Sequence, residues 1–229
     1  MKRHVNNEQS EREKDLNMKE TRKKAKMISP TLPTFIQLDI PQAEVLYSPS
    51  IFSPEICSKY YQELSSLPYW TRPTFKIFGR PAKAARQTCS FGSDPNKVYK
   101  YSGTTAGVDS IEYPPSIKEI KEKIEDILNI QFNFVLLNWY KDGQDSIGDH
   151  SDDEKGLVKF SVIACVSLGA KRTFIFRNKK DKKVTHKISL ENSSLVVMKG
   201  TTQQYWKHSI PKEKSIKEGR ISLTFRQLE

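Results

Sequence analysis

Apolar residues recur at helical spacing in two segments of the 229-residue chain. Between residues 114 and 129 a stripe of isoleucines and one leucine follows Pro115, which predicts an amphipathic helix. An earlier helix is expected from about residue 54 to residue 67, because Ser53 suits the N-cap and Pro54 the first helical position.

After residue 130 the apolar positions alternate with polar ones, which predicts strands. Six such segments lie at residues 132–140, 161–167, 173–177, 184–190, 194–198 and 220–227, and a short strand is also expected at 45–47. Residues 68–110 hold many turn formers and predict hairpins and loops around short strands. Short strands separated by turns are typical of an all-β sandwich or barrel.

Composition favours a nucleic-acid partner and a disordered N-terminus. The formal net charge of +11 and the pI near 9.4 suit a polyanionic partner. Residues 1–30 are polar and charged, so they are expected to remain disordered. The basic run at residues 22–26 suits a nuclear address or a nucleic-acid arm, and it equally suits a solvated tail.

Several classes of protein are disfavoured by the sequence. No run of eighteen apolar residues occurs, so no membrane span is expected, and the charged N-terminus lacks the apolar region of a secretory signal. The three cysteines, Cys57, Cys89 and Cys165, are odd in number and form no C-x-x-C pair. A disulfide framework or zinc site is therefore not expected, and a reducing compartment is.

Candidate metal chemistry begins at His150 and Asp152. Residues two apart in extended chain face the same way, so these two side chains can point at one ion. With a second histidine they would form a 2-His-1-carboxylate triad, which leaves positions open for a cosubstrate and O₂ on Fe(II). We favour His208 as that histidine. His186 is the alternative, and periodicity alone does not decide between them.

The last predicted strand carries a polar face and an apolar face. The polar face holds Arg220, Ser222, Thr224 and Arg226, and two arginines on one face suit the two carboxylates of a ligand such as 2-oxoglutarate. The strand at residues 132–140 likewise ends with Asn138 and Tyr140 on one face, and both side chains can hydrogen-bond such a ligand.

The same segments resemble the AlkB family of Fe(II)- and 2-oxoglutarate-dependent dioxygenases, closest to its eukaryotic nuclear DNA-repair branch. The pattern N-x-Y-x-D-G-x-D-x-I-G-x-H-x-D-D-E occurs in full from Asn138 to Glu154, and an R-x-x-L-T-F-R ending runs from Arg220 to Arg226. Upstream, Phe78-Gly79 and an R-x4-aromatic-Gly pattern from Arg86 to Gly92 extend the similarity, which covers about residues 45–229.

The resemblance implies a mainly β (α+β) fold: a double-stranded β-helix, or jelly-roll, core with flanking helices and an N-terminal nucleotide-recognition lid. It implies a division into a basic tail and linker at residues 1–40, an extension with the lid at 41–112, and the dioxygenase core at 113–229. The implied activity is oxidative removal of N-alkyl groups from DNA bases such as 1-methyladenine and 3-methylcytosine, with release of formaldehyde and succinate.

The resemblance also implies roles for individual residues. His150, Asp152 and His208 would bind Fe(II), and six residues would hold 2-oxoglutarate: Asn138, Tyr140, Arg220, Ser222, Thr224 and Arg226. Within that set Arg220 and Tyr140 would meet the distal carboxylate, and Arg226 and Asn138 the C1 carboxylate. Seven residues would contact the substrate: Phe78, Gly79, Arg80, Phe91, Gly92, Asp153 and Glu154.

Among the substrate residues, Phe91 would stack on the flipped base, and Phe78, Gly79 and Arg80 would probe the duplex. Separately from the resemblance, Lys76, Arg80, Lys83 and Arg86 are candidates for phosphate contacts. The expected partner is alkylated DNA, duplex or single-stranded. The protein is expected to be monomeric and to lie in the nucleus.

The chain departs from the family pattern at three positions. Ser222 stands in place of an asparagine, Phe91 in place of a frequent tyrosine, and Ser151 in place of a basic residue. These departures leave every implied metal ligand intact and bear on substrate preference. Two alternatives remain open from the sequence: the same chemistry on RNA or a protein side chain, and an inactive nucleic-acid-binding barrel.

Overall fold

A computed structural model describes residues 33–77, 80–96, 99–101, 104–106 and 112–229. The predicted disordered tail, and the predicted duplex-probing residues Phe78 and Gly79, lie outside the described residues. None of the described helices is long and apolar enough to cross a membrane.

The described residues form three helices and fifteen strands. The helices are α1 (Pro54–Ser65), α2 (Pro115–Leu128) and the one-turn α3 (Thr202–Tyr205). The strands are β1 (Ile36–Gln37), β2 (Glu44–Ser48), β3 (Thr74–Ile77), β4 (Arg80–Lys83), β5 (Gln87–Gly92), β6 (Tyr99–Tyr101), β7 (Thr104–Ala106), β8 (Phe134–Tyr140), β9 (Ile147–His150), β10 (Ile163–Gly169), β11 (Arg172–Asn178), β12 (Thr185–Leu190), β13 (Leu195–Lys199), β14 (Trp206–Ile210) and β15 (Arg220–Arg226).

Two antiparallel sheets build the core. The larger has seven strands in the order β1-β2-β13-β10-β15-β8-β5, and the smaller has four in the order β12-β11-β14-β9. Apolar side chains from both sheets pack between them, among them Tyr140, Phe176 and Trp206. The hairpins β3–β4 and β6–β7 stand apart from these sheets. The expected mainly β, jelly-roll architecture is therefore confirmed.

Helices α1 and α2 cover the outer face of the larger sheet. The Ser53 hydroxyl caps α1 by accepting a hydrogen bond from the Ile56 N–H, as the sequence predicts. Ile117, Ile120 and Ile124 of α2 are fully buried in a cluster with residues of β8, β10 and β15. This packing seals one side of the sheet, so the side chains on its other face point toward the smaller sheet.

Strand β15 shows how alternation divides the interior. Ile221, Leu223 and Phe225 join the helix-side cluster. The alternate residues, from Arg220 to Arg226, line a cavity between the two sheets. All seven residues of the strand are buried, so the arginines are internal. That burial requires a counter-charge or hydrogen-bonding partner inside the cavity.

The predicted helices and strands recur with small changes at their ends, and the structure adds four elements that the sequence does not predict: β1, β9, α3 and β14. Strand β9 lies in a polar, glycine-containing segment, and β14 is preceded by a one-turn helix. Both are short strands of the smaller sheet, and both carry residues of the site described next.

Candidate active site

Two histidines meet because their strands are neighbours. In the antiparallel pair β9–β14, His150 lies directly opposite His208, and their ring centroids are 4.2 Å apart. Asp152 lies two residues beyond His150, where the chain leaves β9. One ligand atom from each of the three residues lies within 4.8 Å of the others, close enough for all three to bind one metal ion.

Local contacts orient these three side chains toward each other. The Nδ1–H of His150 donates to the Gly148 carbonyl at 2.9 Å, which leaves Nε2 free to face Asp152 at 4.0 Å. The Nε2 atom of His208 is likewise 4.0 Å from Asp152, and the Phe174 ring stacks on the His208 imidazole at 5.2 Å. The hydrogen bond fixes the tautomer of His150, and the stacked Phe174 ring fixes the plane of the His208 imidazole.

Burial and charge keep the three groups in the protonation states that bind metal. Burial lowers the pKa of His208 to about 3 and also lowers the pKa of His150. Burial alone would raise the pKa of Asp152, but Arg226 and the two histidines outweigh it and bring it to about 2. Neutral imidazoles and a carboxylate are the ligand forms that divalent cations require.

His186 lies elsewhere. It is on β12 opposite Phe176, and its ring packs edge-to-face on Trp206 at 5.3 Å. The structure therefore brings His208, and not His186, to His150 and Asp152.

The cavity next to the three groups is rich in guanidinium groups. Arg220, Arg226 and Arg86 all line it, and each is at least nine-tenths buried. The other lining residues are Leu136, Asn138, Tyr140, Ile147, Glu154, Cys165, Phe174, Met198, Ile210, Ser222 and Thr224, together with the His150–Asp152–His208 group itself. The cosubstrate residues expected from the sequence thus lie together around one space.

Arg220 is the clearest sign that this cavity is built for an anion. Its Nη2 donates to the Ser167 hydroxyl at 2.9 Å, and its guanidinium lies 5.4 Å from the centre of the Tyr140 ring. Its Nε and Nη1 atoms are buried and have no hydrogen-bond partner among the described residues. Unsatisfied buried donors are costly, and a carboxylate would satisfy them.

Arg226 and Arg86 connect the cavity to the rest of the site. Arg226 forms an ion pair with Asp152 at 3.0 Å and donates to the Thr224 carbonyl at 3.2 Å. The Nε–H of Arg86 donates to the Asn138 Oδ1 at 2.6 Å. That bond fixes the Asn138 amide, so its NH₂ group is directed away from Arg86 and remains able to donate to a ligand.

These residues fit an Fe(II) ion and a dicarboxylic acid. Two imidazole nitrogens and one carboxylate form the donor set of a facial triad, which leaves coordination positions for other ligands. The buried donors of Arg220 lie in the same cavity and suit a carboxylate of the second ligand.

The comparison with protein families agrees with this geometry. Residues 44–226 match the model of the 2OG-Fe(II) oxygenase superfamily. The chain belongs to this superfamily. Its members use Fe(II), 2-oxoglutarate and O₂, so the chain is an Fe(II)- and 2-oxoglutarate-dependent dioxygenase.

Among characterised proteins, this oxygenase is similar to AlkB homologues. It is 34% identical over 189 residues to the bovine "DNA oxidative demethylase ALKBH2", covering 78% of this chain and 66% of that protein. It is 38% identical over 149 residues to the rat "Alpha-ketoglutarate-dependent dioxygenase alkB homolog 3", covering 62% of this chain and 49% of that protein. The chain thus spans just under two thirds of the first relative and about half of the second.

The fold comparison extends to a more distant structure. The oxygenase superposes on the solved structure of OsALKBH1 with a TM-score of 0.60 and 15% identity. The superposition covers 85% of this chain and 100% of that chain. At this identity the match supports the fold alone.

The residues expected to contact substrate are spread around the oxygenase site. Glu154 lines the cavity beside His150, Asp152 and His208, which we call the metal cavity. Asp153 is exposed and forms an ion pair with Lys179 at 2.8 Å. Arg80 is exposed on β4, and Gly92 is buried at the end of β5. Among these four residues, only Glu154 lines the same cavity as the three metal-binding groups.

The structure contradicts the expected base-stacking role of Phe91. This side chain is fully buried in the helix-side cluster and packs edge-to-face on Tyr69 at 5.6 Å. The reason is the register of β5 on β8, which pairs Phe91 with Val135 and Thr88 with Asn138. Phe91 thus shares its face with Val135, whereas Asn138 and the cavity lie on the opposite face.

The structure also contradicts the phosphate contact that the sequence predicts for Arg86. This residue is 7% exposed and bonds Asn138 inside the cavity. The signal was present in the sequence as an alternation of Arg86, Thr88 and Ser90 against Cys89 and Phe91. That pattern predicts one polar face on β5, which is the face that reaches the cavity.

Proposed function

We propose that this oxygenase removes N-alkyl groups from bases in DNA, such as 1-methyladenine and 3-methylcytosine, and releases formaldehyde and succinate. The supporting observation is the group of His150, Asp152 and His208 beside the unsatisfied donors of Arg220. The name of the bovine relative, a DNA oxidative demethylase, gives the substrate class.

His150, Asp152 and His208 would hold the iron. When bound, iron and 2-oxoglutarate supply the oxidation of the N-alkyl carbon by O₂. The protein's part is to orient the ligands, and the Gly148 carbonyl and the Phe174 ring do this for the two histidines. Arg226 holds the Asp152 carboxylate in its ionised form.

The cavity residues would bind the cosubstrate. The free Nε–H and Nη1–H of Arg220 suit the distal carboxylate, and the Tyr140 hydroxyl would bind it as well. Arg226 and the Asn138 amide would bind the C1 carboxylate near the metal. Ser222 and Thr224 lie on the same face of β15 and complete the polar wall.

The substrate base would reach the metal from the side of Glu154. N-alkylation at the Watson–Crick edge weakens pairing, so such a base leaves the stack at lower cost. The two lesions named above are cationic, and the carboxylates of Asp153 and Glu154 would favour them over a neutral base. Gly92 and Arg80, with Phe78 and Gly79, complete the proposed DNA-contacting set.

We assign residues 1–40 to a basic tail and linker, 41–112 to an extension with the recognition lid, and 113–229 to the dioxygenase core. Alkylated DNA is the proposed partner, the nucleus the proposed location and a monomer the proposed state. The net charge of +11 supports a nucleic-acid partner.

The test is mass spectrometry of methylated oligonucleotides after incubation with the protein, Fe(II), ascorbate and 2-oxoglutarate. Single-stranded DNA, duplex DNA and RNA carrying the same lesion are compared, with Asp152→Ala as the control. The proposal expects demethylation of DNA by the wild type alone. Demethylation restricted to RNA would show that the substrate is RNA and not DNA. No turnover of any of the three oligonucleotides would contradict the proposal.

A further inference from the structure

A loop beside the metal site presents an exposed aromatic side chain. We call residues 153–162, which connect the β9 end of the site to β10, the Phe160 loop. Phe160 is 59% exposed, the largest value among the large apolar side chains in the described part of the chain. The Lys159 ammonium lies 5.2 Å from the centre of its ring.

The loop is anchored to the C-terminal end of the chain. The Val158 N–H donates to the Gln227 carbonyl at 3.0 Å, and the Glu229 N–H donates to the Gly156 carbonyl at 2.9 Å. Leu157 is buried with Phe134 and other residues of a small apolar cluster. The backbone on the N-terminal side of Phe160 is therefore held in place.

Phe160 is also in an unfavourable backbone conformation. Its φ of +59° lies in the left-handed region, which a bulky side chain rarely adopts. Exposing a phenyl ring to water and holding this φ both cost free energy. Strained positions that persist in this way cluster at binding and catalytic sites.

The Phe160 loop borders a second cavity, which shares two lining residues with the cavity beside His150, Asp152 and His208. The second cavity measures about 730 Å³ and is lined by Phe160 together with Lys155, Lys159 and Lys199. Asp152 and Glu154 line both this cavity and the metal cavity. A strand that delivers one base to the metal would therefore place its next nucleotide near this loop.

We propose that the Phe160 loop binds the nucleotide adjacent to the target base in the same DNA strand. The Phe160 ring stacks on the neighbouring base, and Lys159 contacts a backbone phosphate. Aromatic stacking with nearby lysines is the usual chemistry of single-strand binding, and it tolerates any base. This assignment rests on the proposed function, since it takes the substrate to be a nucleic-acid strand.

The test compares two oligonucleotides that carry the same methylated base. One has ordinary bases on both sides of it, and the other has abasic sites there. Phe160→Ala is compared with Ile56→Ala, a matched control in which a 40% exposed apolar side chain is removed from α1 on the outer face of the sheet.

For Phe160→Ala we expect the KM for the ordinary oligonucleotide to rise about five- to tenfold, the low end of base–aromatic stacking. On the abasic-flanked oligonucleotide the variant and the wild type should agree, because the stacked base is gone. The apparent affinity for 2-oxoglutarate should be unchanged, and Ile56→Ala should match the wild type on both substrates.

Three results would overturn the assignment. An unchanged KM on the ordinary oligonucleotide would show that Phe160 does not contact the neighbouring base. An equal rise in KM on both oligonucleotides would show that Phe160 affects the active site and not the neighbouring base. A change in sedimentation coefficient for Phe160→Ala, but not for Ile56→Ala, would show that the loop is an interface between copies of the chain. A wild type inactive on both oligonucleotides would instead contradict the proposed function.

Discussion

At the scale of single residues, the site depends on buried charges that lack full protein compensation. Asp152 and Arg226 neutralise each other at 3.0 Å. Within the described part of the chain, the Arg220 guanidinium contacts only the Ser167 hydroxyl and the Tyr140 ring. A buried cation in this state binds an anion strongly, because the ligand removes a desolvation penalty that the folded protein already bears.

The incomplete hydrogen bonding of the Arg220 guanidinium predicts the effect of Arg220→Lys. Lysine keeps the charge but cannot form the paired N–H···O bonds of a guanidinium. We expect the affinity for 2-oxoglutarate to fall about ten- to a hundredfold, the loss of a charge-assisted hydrogen bond. Isothermal titration with a redox-inert divalent metal in place of iron measures it. Arg177→Lys, on the exposed ion pair with Asp149, is the control and should bind normally.

At the scale of elements, two loops are held together behind the cavity. The guanidinium of Arg172 is fully buried and donates to the carbonyls of Asp142, Asp145 and Pro211 and to the Glu213 carboxylate. It thereby joins the β8–β9 loop to the β14–β15 loop. These loops lead into the strands that carry the proposed metal-binding and cosubstrate residues.

Gly143 tests how closely those loops must pack. Its N–H donates to the Ile216 carbonyl at 3.0 Å, and a Cβ there would collide with the Glu213 carbonyl. Gly143→Ala should therefore lower the free energy of unfolding by about 1–3 kcal/mol, as overpacking does. Gly148→Ala is the control, because a Cβ at that position meets nothing within 4 Å. Equal denaturation midpoints for the two variants would contradict this close packing.

The Glu213 carboxylate predicts a pH dependence of stability. Burial alone would raise its pKa, but hydrogen bonds from Thr173 and Arg172 lower it below the ordinary value. A carboxylate whose pKa is lower in the folded state stabilises the fold above about pH 4.3, its unfolded value. This contribution is lost as the pH falls through the folded value.

Thermal unfolding of Glu213→Gln measures that contribution. The variant should be less stable than the wild type near neutral pH, and the difference should shrink as the solution is acidified below about pH 4.3. A stability difference that is constant with pH would show that the carboxylate's charge does not contribute.

The elements also show how far the sequence could predict the site. Alternation predicts that Arg220 and Arg226 share one face of β15 and that Asn138 and Tyr140 share one face of β8. The pairing of Ser222 with Asn138 in the structure brings these two faces together. The side on which Phe91 falls depends on the register between β5 and β8, and residues distant in sequence set that register. The sequence favours His208 over His186, but only the pairing of β9 with β14 shows that His208 meets His150. Those two strands are too short and too polar to be evident from periodicity.

At the scale of the whole molecule, charge and fold serve different purposes. The jelly-roll core places the proposed metal-binding and cosubstrate residues between its sheets. The net charge of +11 acts at longer range and suits the approach of a polyanion. Part of that charge lies in residues 1–30, which hold nine Lys and Arg against five Asp and Glu, a net of +4.

Deleting residues 1–30 should therefore weaken DNA binding mainly at low salt. The removed charges displace counterions from phosphates, so the slope of log affinity against log salt should become shallower. Fluorescence anisotropy of a labelled oligonucleotide over a salt series measures it. Equal affinities at every salt concentration would mean that the tail does not contact DNA.

The central claim is that His150, Asp152 and His208 bind one Fe(II) ion beside 2-oxoglutarate held by Arg220. The most direct measurement is the visible charge-transfer absorption that appears when 2-oxoglutarate chelates protein-bound Fe(II) without oxygen. We predict this absorption for the wild type and His186→Ala, and its loss in His208→Ala. Absorption retained by His208→Ala, or lost in His186→Ala, would contradict the claim.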